Sequence, residues 1–364
     1  HSGPSSRRRF YCETADAQIK ISVSIGTPSS MGSALRKRKS DSIDPVEGAG
    51  SAIQGTTVPR FGEREPRVAS DYKPLQKHPE LFDVETGWKT EWFDQDFLFA
   101  LRTNTDDAWA RVVTEHLPGA VFSCKIFAPA FCQMLIEEVD HFATTGLPAR
   151  RPNSMNNYGI ILNEIGWRPM VNILQDNVLA RIAHRQWPKI CPFDDHHTFI
   201  VRYKEGEDLG LDMHTDDSDV TFNICLGKEF TGAGLSFCGV MGQGDHRKHQ
   251  HTFQHEVGRC CWHLGRQRHG ADDIKSGERL NLIIWNHSSS YRKSTEYMYP
   301  PYMKEDAHPD AICLSYTHDR DYGIFKEYSA KNVEFQGRGW CPRNGYEYEG
   351  FIAEDPPPGG VQGG

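Results

Sequence analysis

The 364-residue sequence predicts a fold of the α+β class, mainly β: a barrel or sandwich of short strands with helices laid against one face. Three observations carry that expectation. After His196 the chain breaks into short extended runs separated by Gly-rich turns. Before it, two segments place apolar residues at helical spacing. Between the early strand runs lies Leu211-Asp212-Met213-His214-Thr215-Asp216-Asp217, whose His-x-Asp an extended backbone would turn to one side.

Taken in order, residues 1–70 are rich in Ser, Gly, Arg and Pro and show little periodicity. They are expected to lack regular structure, apart from a short strand at Ile19 to Ile25. The run Arg36-Lys37-Arg38-Lys39 fits a nuclear-import signal, but a solvated tail is the plainer reading. Folded structure is expected from Pro79, where aromatics gather (Trp88, Trp92, Phe93, Phe97, Phe99). A helix is expected from Pro129, with Phe131, Leu135, Val139 and Phe142 as its apolar stripe and Gly146 as its stop. A second starts at Pro169, with Val171, Leu174, Val178 and Ile182 inward, and Tyr158–Leu162 between them reads as a strand. The later runs 198–203, 220–226, 234–240, 252–257, 260–264 and 280–285 all read as strands. This divides the chain into a 1–70 N-terminal region, a 71–290 domain with its barrel core at about 196–290, and a 291–364 extension. That extension ends in a flexible Pro356–Gly360 stretch.

Composition narrows the function. A formal net charge of −8 with 25% charged residues argues against a nucleic-acid module, which usually carries a basic face. No run approaches the roughly 18 apolar residues of a membrane span. Ten cysteines at irregular spacing, without Cys-x-x-Cys, suggest reduced thiols in a cytoplasmic or nuclear protein. The chain begins at His1 without a Met, so the native N-terminus is expected to be missing or altered, and a cleaved signal stays open.

His214 and Asp216 make half of a metal site, and a second histidine would complete a 2-His-1-carboxylate triad. His255, His263 and His269 are the candidates. His269 is preferred because Arg279 follows ten residues later, beyond an expected Ser276-Gly277-Glu278 turn, on what would be its hairpin partner. On that strand Arg279, Asn281, Ile283 and Trp285 share one face, and Leu280, Leu282 and Ile284 share the other. An Arg turned into a barrel is costly unless a carboxylate meets it, and a dicarboxylate co-substrate would supply one.

Together, Phe199–Tyr203, His214-Thr215-Asp216, Thr221–Lys228, Phe230-Thr231-Gly232, His269-Gly270-Ala271 and Gly277–Leu282 resemble the iron(II)- and 2-oxoglutarate-dependent dioxygenases, in their prolyl-hydroxylase-like branch. The resemblance runs from about Phe122 to Ser288. It implies a double-stranded β-helix, the jelly-roll or cupin-like barrel, with buttressing helices. It implies Fe(II) on His214, Asp216 and His269, with 2-oxoglutarate chelating the iron and its far carboxylate on Arg279. O2 would be the oxidant and ascorbate a further ligand. Tyr203 would hydrogen-bond the co-substrate, and Asn223 and Asn281 share inward faces beside it. The implied reaction is hydroxylation of a protein side chain or small molecule.

Other readings of the same residues were weighed. His263 reads as structural, and the acidic run at Asp212–Asp219 lacks the Gly and Glu of a calcium loop. His246, His249, His251 and His255 lie in a polar hairpin better read as solvated than as a zinc site. Cys260 and Cys261 would point to opposite faces rather than pair, and Tyr203 could be plain core. A catalytically silent barrel used as a binding module is the competing class, with a nucleic-acid demethylase disfavoured by charge.

Overall fold

The computed structural model describes residues 65–299 apart from Gly242, together with Ile312. The expected strand at Ile19–Ile25, the Arg36–Lys39 run and the Pro356–Gly360 stretch lie outside the described residues. The described chain opens with helix α1 (Glu65–Tyr72), so the expected boundaries near residue 70 and Pro79 fall too late. Val68 and Tyr72, one turn apart, are buried. The Tyr72 hydroxyl donates to the buried Glu138 carboxylate at 2.5 Å, whose other oxygen accepts from the His78 backbone N–H at 2.6 Å. Two donors on a buried carboxylate offset its desolvation and pin this segment to the helical layer. A partner 66 residues away leaves no local sequence signal.

Helices α2 (Gln95–Thr103) and α3 (Asp106–Val112) follow, started by Asp94 and Thr105, whose side chains accept from backbone N–H groups of the first turn. After strands β1 (Thr114–Leu117) and β2 (Val121–Lys125) comes α4 (Pro129–Thr144), with its Pro in the first turn and the expected stripe buried. Strand β3 (Gly159–Ile161) precedes α5 (Arg168–Leu174), a π-helical turn at Gln175–Leu179 and α6 (Ala180–Gln186). Those three form one continuous helical run, as the spacing from Val171 to Ile182 predicts.

The barrel strands are β4 (Asp195–Lys204), β5 (Leu211–His214), β6 (Val220–Gly227), β7 (Phe230–Gly232), β8 (Leu235–Val240), β9 (His251–Phe253), β10 (Arg259–Leu264), β11 (Gln267–Ala271) and β12 (Ile274–His287). Short helices α7 (Ser289–Arg292) and α8 (Thr295–Met298) close the described chain. One sheet runs β1-β2-β10-β6-β12-β4-β3, with β7 beside β12, and the other runs β5-β11-β8-β9. Following the chain, β4, β6, β10 and β12 fall in the larger sheet, and β5, β8, β9 and β11 in the smaller. All pairings are antiparallel. This crossing back and forth between two sheets is the double-stranded β-helix, with β1, β2 and β3 widening its larger sheet.

Alternation along the strands divides two environments. Leu280, Leu282 and Ile284 of β12, Phe222 and Ile224 of β6 and Trp262 of β10 pack under the helices. The intervening residues (Arg279, Asn281, Ile283; Thr221, Asn223; Phe199, Val201, Tyr203 of β4) line a pocket between the sheets. Each fully buried Leu, Ile or Phe on the helix side contributes about 1.5–3 kcal/mol. Cys260 and Cys261 go to opposite faces, as expected, and burial raises the pKa of both thiols.

Two strand expectations are corrected. The 252–257 run is regular only through Phe253, because the chain must leave the smaller sheet there to reach β10 in the larger. Ser276-Gly277-Glu278 is not a turn. It lies inside β12, just past a register irregularity between Ile274 and Ser276; Gly277 pairs with Phe230 of β7, has φ of +81°, and an added Cβ would strike the Glu229 carbonyl. β11 and β12 are therefore not a hairpin pair: β11 sits between β5 and β8, and β12 between β4 and β6.

Candidate metal centre

β5 and β11 are neighbours in register, with His214 opposite His269. Their rings lie 4.4 Å apart between centroids. The Nδ1–H of His214 donates to the Asp212 carbonyl at 2.7 Å, and that of His269 to the Gln267 carbonyl at 2.8 Å. A carbonyl can only accept, so both rings are held with Nδ1 protonated and the Nε2 lone pair turned to the site. Asp216 lies past the end of β5, so its convergence comes from the loop rather than from strand alternation. Its oxygens stand 3.4 Å from His214 Nε2 and 3.6 Å from His269 Nε2. Its backbone N–H bonds to the Gly265 carbonyl at 2.8 Å, and the Thr221 hydroxyl donates to its Oδ2 at 2.6 Å. Gly265 is needed there because an added Cβ would run into the Ser218 carbonyl.

Electrostatics suit a cation. Burial alone would raise the Asp216 pKa, but the His269 and His214 imidazoles outweigh it and hold the carboxyl well below its ordinary range. Burial pushes His269 down to about 3, against the pull of Asp216. A carboxylate and the Nε2 atoms of two imidazoles are thus presented, all within 4.8 Å of one another. This is the only such group found among the described residues. Nitrogen and oxygen donors of this kind fit Fe(II), and three ligands on one side leave positions open.

The rejected histidines lie close by. The His263 ring lies tilted against His269, 4.4 Å between centroids, and gives its Nδ1–H to the Leu264 carbonyl, leaving Nε2 buried and unpartnered. His255 sits half-buried and edge-on to Phe253, and desolvation, then the Arg279 charge, pushes its pKa well down. His249 bonds Thr252 and His251 stacks on His116, as structural side chains would.

Deeper in the pocket, Arg279 is buried, its NH1 donating to the Ala233 carbonyl and its guanidinium 4.6 Å from the Tyr203 ring centroid. Its Nε has no partner among the described residues. Burial depresses the guanidinium pKa, while Tyr203, Cys225 and Asp272 favour the charge. Asn281 Nδ2 donates to Asn223 Oδ1, leaving Asn281 Oδ1 unpartnered in the same pocket. The Tyr203 hydroxyl accepts from Asn156 Nδ2 at 3.2 Å. Sequence reasoning missed Asn156, Thr221 and the Ala233 carbonyl. Thr221 could have been found, since it lies two residues before Asn223 on the same strand face; the other two act from loops. Outward from His214 the pocket opens into a cleft of about 680 Å³, walled by the Arg150–Met155 loop, His197 and Trp285.

A double-stranded β-helix holding two histidines and one carboxylate on one side of a cation site is the architecture of the non-haem iron(II) oxygenases. An OGFOD2-like domain matches residues 68–192. The 2-oxoglutarate and iron-dependent oxygenase domain-containing protein 2 of Homo sapiens is 32% identical over 237 residues, covering 64% of this chain and 67% of that protein. The protein ICU11 of the same description, from Arabidopsis thaliana, is 35% identical over 251 residues, covering 66% of this chain and 62% of its own length. The chain thus spans about three fifths of that relative. A solved prolyl 4-hydroxylase from Phytophthora capsici aligns with a TM-score of 0.40 and 15% identity, over 56% of this chain and 69% of that one. The chain belongs to the family of 2-oxoglutarate and iron-dependent oxygenase domain-containing protein 2. The matched OGFOD2-like segment covers the helical layer and the cleft loop, whereas the triad comes from the barrel beyond it.

Proposed function

We propose that this chain is an Fe(II)- and 2-oxoglutarate-dependent dioxygenase that hydroxylates a protein side chain. The observation that carries the reading is the convergence of His214, Asp216 and His269 beside a buried Arg279 whose Nε is unpartnered. His214 Nε2, Asp216 and His269 Nε2 would hold the iron. Arg279, backed by the Tyr203 ring, would take the far carboxylate of 2-oxoglutarate, since a fixed guanidinium fork matches a carboxylate. Tyr203, Asn223 and Asn281 would line the same ligand. When bound, iron and co-substrate supply the oxidation: O2 and 2-oxoglutarate become succinate and CO2, and one oxygen atom enters a substrate C–H bond. The chain orients these groups and keeps the inner pocket small, while the open cleft beyond His214 admits an extended peptide. A silent binding barrel has no use for a buried Arg over an intact triad.

The test is anaerobic titration with Fe(II) and 2-oxoglutarate, then succinate release in air against a panel of peptides and metabolites. Binding of both, with O2-dependent succinate that is lost in His214→Ala, supports the reading. Binding without any succinate release in any panel would favour the silent module.

A further inference from the structure

The loop that carries Asp216 is gripped from outside the barrel. Between His214 and the start of β6, Asp217 and Asp219 follow the ligand Asp216, and both meet Arg292 of α7. Arg292 Nε lies 3.0 and 3.2 Å from the two Asp219 oxygens, and its NH1 and NH2 both donate to Asp217 Oδ1 at 3.1 Å. The Asp219 side chain is fully buried, whereas that of Asp217 is exposed. The Ser288 backbone N–H adds a 2.6 Å bond to Asp219 Oδ2, and His287 Nε2 donates to the Asp217 carbonyl at 2.7 Å. The loop is also tied inside the barrel, where Asp219 N–H bonds the Asn286 carbonyl at 2.8 Å.

We propose that Arg292 is a positioning residue for the metal centre, fixing the Asp216 carboxylate by clamping Asp217 and Asp219 in the loop segment that follows it. This rests on the metal reading above. Asp216 belongs to no strand, so its aim depends on what holds residues 215–219. One guanidinium spans both carboxylates that follow it, and its planar fork fixes direction as well as charge. Without Arg292 the buried Asp219 would keep the Ser288 N–H but lose its opposite charge, and the loop would rearrange to reach water. The segment just after the barrel, outside the expected 71–290 domain, thereby becomes part of the site.

The test uses the full chain, metal-free, titrated with Co(II) as a spectroscopic probe of the triad. Arg292→Gln is expected to weaken Co(II) binding roughly tenfold to a hundredfold, the range for lost groups that orient metal ligands. It should also shift the visible absorption bands of bound Co(II). Arg292→Lys keeps the charge but loses the fork, and should recover part of the affinity. Adding Asp217→Asn to Arg292→Gln should then cost little more, because the contact is already gone. His214→Ala is the control for the metal reading itself. If His214→Ala abolishes Co(II) binding while Arg292→Gln and Arg292→Lys bind with wild-type affinity and spectrum, the clamp is refuted and the triad stands. If His214→Ala binds as wild type, the triad reading fails first. A lower melting temperature with unchanged Co(II) affinity and spectrum would make Arg292 merely structural and would also overturn the proposal. Should Arg292→Gln not fold, the affinity and spectrum of Arg292→Lys decide it.

Discussion

Arg279 could be singled out in the sequence because a charge opens a strand otherwise built of Leu, Ile, Trp and one Asn, and burial of that charge needs a partner. In the fold its Nε faces the pocket unpartnered. A charge-assisted hydrogen bond contributes about 1.5–3 kcal/mol, and ~1.4 kcal/mol is tenfold in affinity. Arg279→Gln should therefore raise the 2-oxoglutarate constant about tenfold to a hundredfold at saturating iron, and Arg279→Lys should recover only part. An unchanged constant in uncoupled succinate formation would place the far carboxylate elsewhere. The choice between neighbouring histidines is sharper. His269 and His263 lie tilted against each other, but of the two it is His269 whose Nε2 stands 3.6 Å from Asp216. His269→Ala should purify without iron and His263→Ala should retain it; iron content measured on both decides, and the reverse pattern would move the site. Asn156 and Ala233 escaped the sequence reading because each reaches the pocket from irregular backbone, where no periodicity announces which way a group points.

Among the elements, those with an apolar rhythm were legible: α4, the α5–α6 run, β4, β6, β10 and the 280–285 part of β12. β11 was readable only through its histidine. Its sequence, Gln267-Arg268-His269-Gly270-Ala271, has no apolar alternation, and it is a strand because β5 and β8 pair with it on both sides. The hairpin expected at Gly277 failed for a related reason, since a glycine marks a close approach of two backbones as readily as a turn. The junction of α5 and β4 carries a pH dependence of its own. His196 is buried there, with Nε2 2.9 Å from Asn172 Oδ1 and Nδ1 2.8 Å from the Thr198 hydroxyl. A neutral ring donating from Nε2 and accepting at Nδ1 satisfies both. Burial first, then Arg168, pushes its pKa from 6.5 down to about 4. Below pH 6.5 the unfolded chain takes a proton that the folded site refuses, so stability is full above that pH and is lost as pH falls towards 4. The loss totals about 3 kcal/mol, at up to ~1.4 kcal/mol per pH unit. In urea unfolding of the metal-free protein between pH 7 and 5, His196→Asn should start less stable but fall less steeply. Parallel slopes would mean that the folded site accepts the proton.

On the scale of the whole molecule, β12 is the strand on which both halves of the larger sheet depend, because β4 and β6 each pair with it over most of their length. A chain ending at Asp273 would leave two long apolar-faced edges without their common neighbour. It is expected to aggregate and to unfold without a cooperative transition, as read by gel filtration and urea titration; a monomer melting in one sharp step would contradict this. The same pairing has a consequence during synthesis. β4 ends at Lys204 and β12 at His287, 83 residues later. At about 5–20 residues per second, a ribosome takes roughly 4–17 seconds to cover that stretch. Throughout that interval β4 stays without its central neighbour while β5, β6, β8 and then β11 emerge with the metal ligands one after another, so its hazard is capture by another nascent chain rather than slow chemistry.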